Sequence, residues 1–73
     1  MSTSELAARL LRIWMAAEHL KVAALARRLG CSREHLSNLR SGKSAPGRSL
    51  ALKLERESGG AVPAASWDEP VAA

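Results

Sequence analysis

Three observations predict that the chain is all-α, a compact domain of four to five helices. Ala, Leu, Arg and Glu abound while β-branched residues are scarce and Phe and Tyr are absent, which favours helix and leaves strands with little support. Apolar residues recur at spacings of three and four, the period of a helix with one buried face. And 73 residues can build one core and no second, a core small enough to need either helices or a partner subunit.

The elements follow in order. Thr3 or Ser4 is placed to cap a first helix running to about His19, with Glu5 well set in its first turn. Leu6, Leu10, Ile13, Trp14 and Ala17 form its expected inner face, and Leu11 and Met15 widen that face to one side. A second helix spans Val22 to Leu29, with Val22, Leu25, Ala26 and Leu29 inward and Arg27 and Arg28 outward. Gly30 ends it. Ser32 caps a third helix from Arg33 to about Arg40, in which Leu36 and Leu39 point to the core. After a loop containing Pro46, a fourth helix runs from about Arg48 to Ser58, stopped by Gly59 and Gly60. One further turn is expected around Ala64 to Trp67. The domain is therefore set at residues 1–60 and a short C-terminal tail at 61–73.

Charge is informative through its distribution. The net charge is +4, yet residues 1–20 are balanced and the chain from Glu57 onward holds acids and no base. Between them, Lys21 to Arg56 carries nine Lys or Arg against Glu34 and Glu55, a local excess of +7. A basic zone of this density suits a polyanion, because each phosphate contact releases condensed counterions.

Other classes are disfavoured. A lone cysteine, Cys31, allows no internal disulfide, and neither His19 nor His35 stands at metal-ligand spacing, so no metal or cofactor is expected. Cys31 is read as a small buried apolar residue. There is no acid/base pair, activated nucleophile or phosphate-cradling Gly loop to suggest an enzyme. No apolar run approaches membrane-spanning length and the N-terminus has no leader pattern, so a cytoplasmic, nucleoid-associated protein is expected, with no membrane partner.

The densest signal is VAALARRLGCSREHLSNLRSG, residues 22–42. Ala26 gives a small side chain where one helix crosses the next, and Gly30, four residues on, can take positive φ in the turn. Leu29, Cys31, Leu36 and Leu39 then supply apolar contacts on one side only, leaving polar side chains in a row on the other. Together these residues resemble the helix-turn-helix of the lambda-repressor and Cro superfamily, the xenobiotic-response-element family. SGKSAPGRSLALKLERESGG further resembles the loop and fourth helix of short prophage-type repressors and antitoxin-like regulators. The likeness covers residues 4 to about 67. One departure stands out: the family often has Gln or Ser at the start of the second helix, where Lys21 and Val22 stand here.

The resemblance implies sequence-specific binding of a double-stranded DNA operator. The first turn of the third helix would enter the major groove, making Arg33, Glu34, Ser37 and Asn38 the candidate base contacts. Arg33 suits guanine O6 and N7, Asn38 adenine N6 and N7, and Glu34 cytosine N4. Ser32, Arg40, Ser41, Lys43 and Arg48, with Lys21 in place of the family's polar residue, are the expected phosphate contacts. Leu11, Met15, Leu52, Val62 and Trp67 are left for a dimer or partner surface, Trp67 because it would be costly to expose unless it folds back onto its own domain. The expected function is a bacterial or phage homodimeric repressor on an inverted repeat, autoregulating its operon. Two alternatives are an antitoxin or anti-CRISPR-associated regulator that also contacts a protein from the same operon, and a protein-interaction module that has kept this fold without binding DNA.

Overall fold

A computed structural model describes residues 3–67. The described residues are helical throughout their regular structure: α1 (Thr3–Ala17), α2 (Val22–Leu29), α3 (Arg33–Ser41), α4 (Arg48–Glu57) and a 3-10 turn at Ala64–Trp67. The expected all-α class and its element order hold. Thr3 already lies inside α1, so the helix begins earlier than a cap at Thr3 or Ser4 would place it, and it ends two residues before His19.

None of the four helices is long enough to stand alone in water, and each depends on packing. α1 packs against α3 and the 3-10 turn, α2 against α3 and α4, and α4 against the 3-10 turn. Leu11, Leu25, Leu36, Leu39, Leu54 and Val62 are the large side chains sealed completely from solvent.

All four helices end with one geometry. The residue that leaves the helix takes positive φ, at His19 (55°), Gly30 (75°), Gly42 (81°) and Gly59 (63°). The next N–H then bonds a carbonyl five residues back: Leu20 to Met15 at 2.9 Å, Cys31 to Ala26 at 3.0 Å, Lys43 to Asn38 at 3.0 Å and Gly60 to Glu55 at 2.9 Å. This closes the orphan carbonyls at each end and reverses the chain in a few residues. At three ends the left-handed residue is glycine; at the first it is His19, which bears a Cβ in a conformation that disfavours one.

The face that α1 turns inward differs from the expected one. Ala7, Ala8, Leu11 and Met15 are buried, whereas Leu6 and Ile13 are 54% and 58% exposed and Leu10 and Trp14 are half-buried. The reason lies in how near α3 comes. Gly42, at the end of α3, lies against the alanine side of α1, where a Cβ would meet Glu5 Cγ at 3.7 Å and the Ala8 side chain at 3.9 Å, in ordinary van der Waals contact. Ala8 faces this contact, and Ala7, Leu11 and Met15 lie on the same buried side.

This corrects the dimer assignment. Leu11, Met15, Val62 and Trp67 are each at most 6% exposed and lie in the core of their own chain, so they offer no surface to another subunit. Leu52 alone of that set is exposed, at 41%. The domain boundary moves with them. Residues after Gly60 return to the core: the Val62 N–H donates to Ser58 Oγ at 2.9 Å and the Ala64 N–H to Glu55 Oε1 at 2.8 Å. These two bonds hold Trp67 over α4 and α1. The domain thus extends through Trp67 rather than stopping at 60; the rest of the expected tail, 68–73, lies outside the described residues.

Three substitutions test these contacts. His19→Gly relieves the left-handed cost of about 1 kcal/mol and loses part of it to a freer unfolded chain, leaving roughly 0.5 kcal/mol of gain and a rise in Tm of about 2–4 °C. Gly42→Ala acts in the opposite sense by about 1 kcal/mol, and thermal melting followed by circular dichroism reads both. Trp67→Ala should cost about 3–5 kcal/mol as a core truncation. Its melting loss should be independent of protein concentration, as expected for a side chain buried within one chain.

Candidate nucleic-acid interface

The interface is built on α2, the turn at Gly30 and α3. Leu25, Ala26 and Leu29 of α2 and Leu36 and Leu39 of α3 bury the inner sides of both helices. That leaves α3 free to show its opposite face. At its start, the Ser32 hydroxyl accepts the His35 N–H at 3.0 Å, the side-chain cap expected at this position. At its other end the Arg12 guanidinium of α1 donates to the Arg40 carbonyl, placing a cation where the helix dipole is negative. Lys53 of α4 reaches the Leu29 carbonyl at 3.4 Å and so ties α4 to the end of α2.

Along α3, Arg33, Glu34, Ser37 and Ser41 are exposed, while His35, Asn38 and Arg40 are half-buried. The exposed set falls within one third of the helix circumference, with Asn38 at its flank. Arg33, Glu34 and Ser37 line a shallow recess together with Val22 of α2. Three of the four expected base readers are therefore side by side, and among the described residues neither Arg33 nor Glu34 forms an ion pair. Their donors and acceptors are open to a ligand.

The expected phosphate anchors divide. Lys21, at the head of α2, and Lys43, in the loop after α3, are exposed. Lys21 leaves the first N–H groups of α2 without a side-chain cap. Ser41 donates its hydroxyl to the Asn38 carbonyl at 3.1 Å, and Ser32 has used an acceptor lone pair as a cap. Arg40 is half-buried, and its Nε has no partner among the described residues. Arg48 is exposed at the start of α4 and lines a cleft of about 340 Å³ between α4 and the 3-10 turn with Leu52, Glu55 and Trp67.

Val22 is the residue that the sequence reading assigned to the core alone. It does pack against the core, half-buried, yet its remaining surface belongs to the recess. Its signal in sequence was its position, the first residue of α2 where the resembled family favours a polar side chain. Cys31, just after the turn, is half-buried against the core. Burial pushes its thiol above the ordinary value, against smaller opposing effects of a backbone hydrogen bond and of Lys53. It is a protonated packing group at neutral pH and a poor nucleophile.

Two short helices crossing at a glycine turn, the second with an open polar face set in a basic zone, define a helix-turn-helix DNA-binding domain. The helix-turn-helix family model matches residues 11–57, more than half of the chain, and the chain belongs to this lambda repressor/Cro-like family. It is a family of DNA-binding regulators. Neither the curated proteins nor the solved structures contain a match to the chain. Among the described residues, no helix is long and apolar enough to cross a membrane, and no three His, Cys, Asp or Glu side chains cluster to hold a metal ion.

The cap offers a test of this local architecture. Ser32→Ala should destabilise the domain by about 1 kcal/mol in urea unfolding, whereas Ser32→Asp should retain most of the stability by capping with a carboxylate.

Proposed function

We propose that this protein is a sequence-specific transcriptional repressor that occupies an operator and excludes polymerase. The observation that carries this reading is the exposed row Arg33, Glu34 and Ser37 on the outward face of α3, within the most basic part of the chain. Arg33 addresses guanine, Glu34 cytosine N4, and Asn38 adenine from the flank of the row. Lys21, Lys43, Ser32, Ser41 and Arg40 border the row and supply phosphate contacts that set affinity and register. Arg48, on the α4 side, contributes to the basic field more than to the row itself.

Pairing of two copies about a two-fold axis would set their α3 helices roughly 34 Å apart on an inverted repeat. Leu52 on α4 is the exposed member of the residues assigned to that pairing, and Leu6 and Ile13 on α1 are the other large exposed apolar side chains. Repression of its own operon is the simplest regulatory arrangement for such a domain.

The test is binding of the purified protein to the DNA upstream of its own gene and to random duplex across a salt series. A footprinted inverted repeat bound far more tightly than random duplex supports an autoregulating dimer. Equal, weak, salt-sensitive binding to both duplexes would overturn autoregulation at that site, and no binding to either would overturn the DNA-reading function. Arg33→Ala should relax preference at particular base pairs by about 1–3 kcal/mol. Lys43→Ala should weaken all sequences alike and lower the salt slope by about one contact.

A further inference from the structure

The recess on the α3 face has one aliphatic wall. Arg33 and Glu34 are charged and Ser37 is hydroxylated, whereas Val22 presents two methyl groups and no hydrogen-bonding atom. Val22 cannot swing away, because it is the first residue of α2, β-branched, and half-buried against the core. Beside an open Arg and Ser, this fixed apolar surface gives an entirely polar ligand nothing to bond. It would strip water from whatever polar atom it faced and return no bond.

Base edges in the major groove are polar with one exception, the C5-methyl group of thymine. We propose that the Val22 recess is a thymine-methyl pocket, which selects an A·T pair next to the pair addressed by Arg33. The inference rests on the DNA-reading function proposed above and adds a base identity to it. Arg33 brings the positive charge that draws the groove edge in, Val22 receives the methyl group, and the Ser37 hydroxyl is left free to bond the neighbouring base edge. Cytosine occupies the same place without the methyl group and leaves the pocket unfilled.

The experiment starts from the tightest duplex selected from a random pool by the full chain. Each thymine in that site is then replaced in turn by deoxyuridine, which removes only the 5-methyl group. Burial of one methyl-sized group corresponds to about a fourfold change in affinity. One thymine in each bound half-site, adjacent to the position where Arg33→Ala relaxes preference, should therefore lose about fourfold on replacement. Val22→Ala, checked for folding by its melting curve, should bind the thymine and uridine duplexes nearly equally at that position. If no single replacement weakens wild-type binding, or if Val22→Ala keeps the full methyl dependence, the pocket is refuted while the DNA-reading function stands. Failure to select any sequence over random duplex refutes that function and the pocket together.

Discussion

The left-handed turn at Gly30 is the constraint on which the rest depends. It reverses the chain between two helices of eight and nine residues, each too short to persist alone. A Cβ at this φ would be strained, and any longer loop would release α3 from its crossing of α2. The Cys31 N–H bonds the Ala26 carbonyl at 3.0 Å to close the turn, and Lys53 adds its contact to the Leu29 carbonyl from α4. The direction of α3, and hence of every side chain on its outer face, is set by this small group of bonds. The same device recurs at Gly42 and Gly59, so the domain is assembled from short rods joined by stiff corners.

Stiff corners concentrate the core. With no helix able to contribute many turns, the interior is filled by leucines drawn from all of α1 to α4 and closed by Val62 and Trp67 from the chain beyond α4. Trp67 covers much surface with a single residue, at the expense of an indole N–H that lacks a partner among the described residues. The two hydrogen bonds that fold residues 62–64 back onto α4 offset part of that penalty. A side chain so placed belongs to the stability of one chain, and pairing with a second copy must draw on surfaces outside this core.

Much of this was legible in the sequence where local chemistry decides. Helix period, the Gly30 turn, the Ser32 cap and the inward Leu36 and Leu39 are consequences of a few neighbouring residues, and the structure carries them as expected. The register of α1 was not legible. Its apolar arc is wide enough for two inward faces, and the choice between them depends on packing against α3 and the 3-10 turn, partners distant in sequence that only the fold brings together. The same is true of the tail. Whether Trp67 covers its own domain or another subunit depends on Ser58 and Glu55 accepting backbone N–H groups from residues 62 and 64, which no periodicity announces. For the proposed interface, residue type and helix position were enough to mark Arg33, Glu34 and Ser37 as exposed neighbours on α3. Val22 was missed because its pattern marks it as core, and a half-buried residue can serve the core and the surface at once.

The outer face of α3 also divides by what its hydrogen-bonding groups are already doing. Ser32 and Ser41 serve the ends of the helix through their hydroxyls. Groups engaged in this way can touch a phosphate, but they cannot turn to follow a base edge without loosening the helix they hold. Among the described residues, Arg33, Glu34 and Ser37 carry no such duty. Sequence discrimination needs donors and acceptors whose positions are fixed by the backbone and whose bonds are unspent, since an engaged group would trade one bond for another and gain little. On that argument the proposed base readout falls to the first turn and a half of α3, with the flanking polar residues as its proposed phosphate anchors.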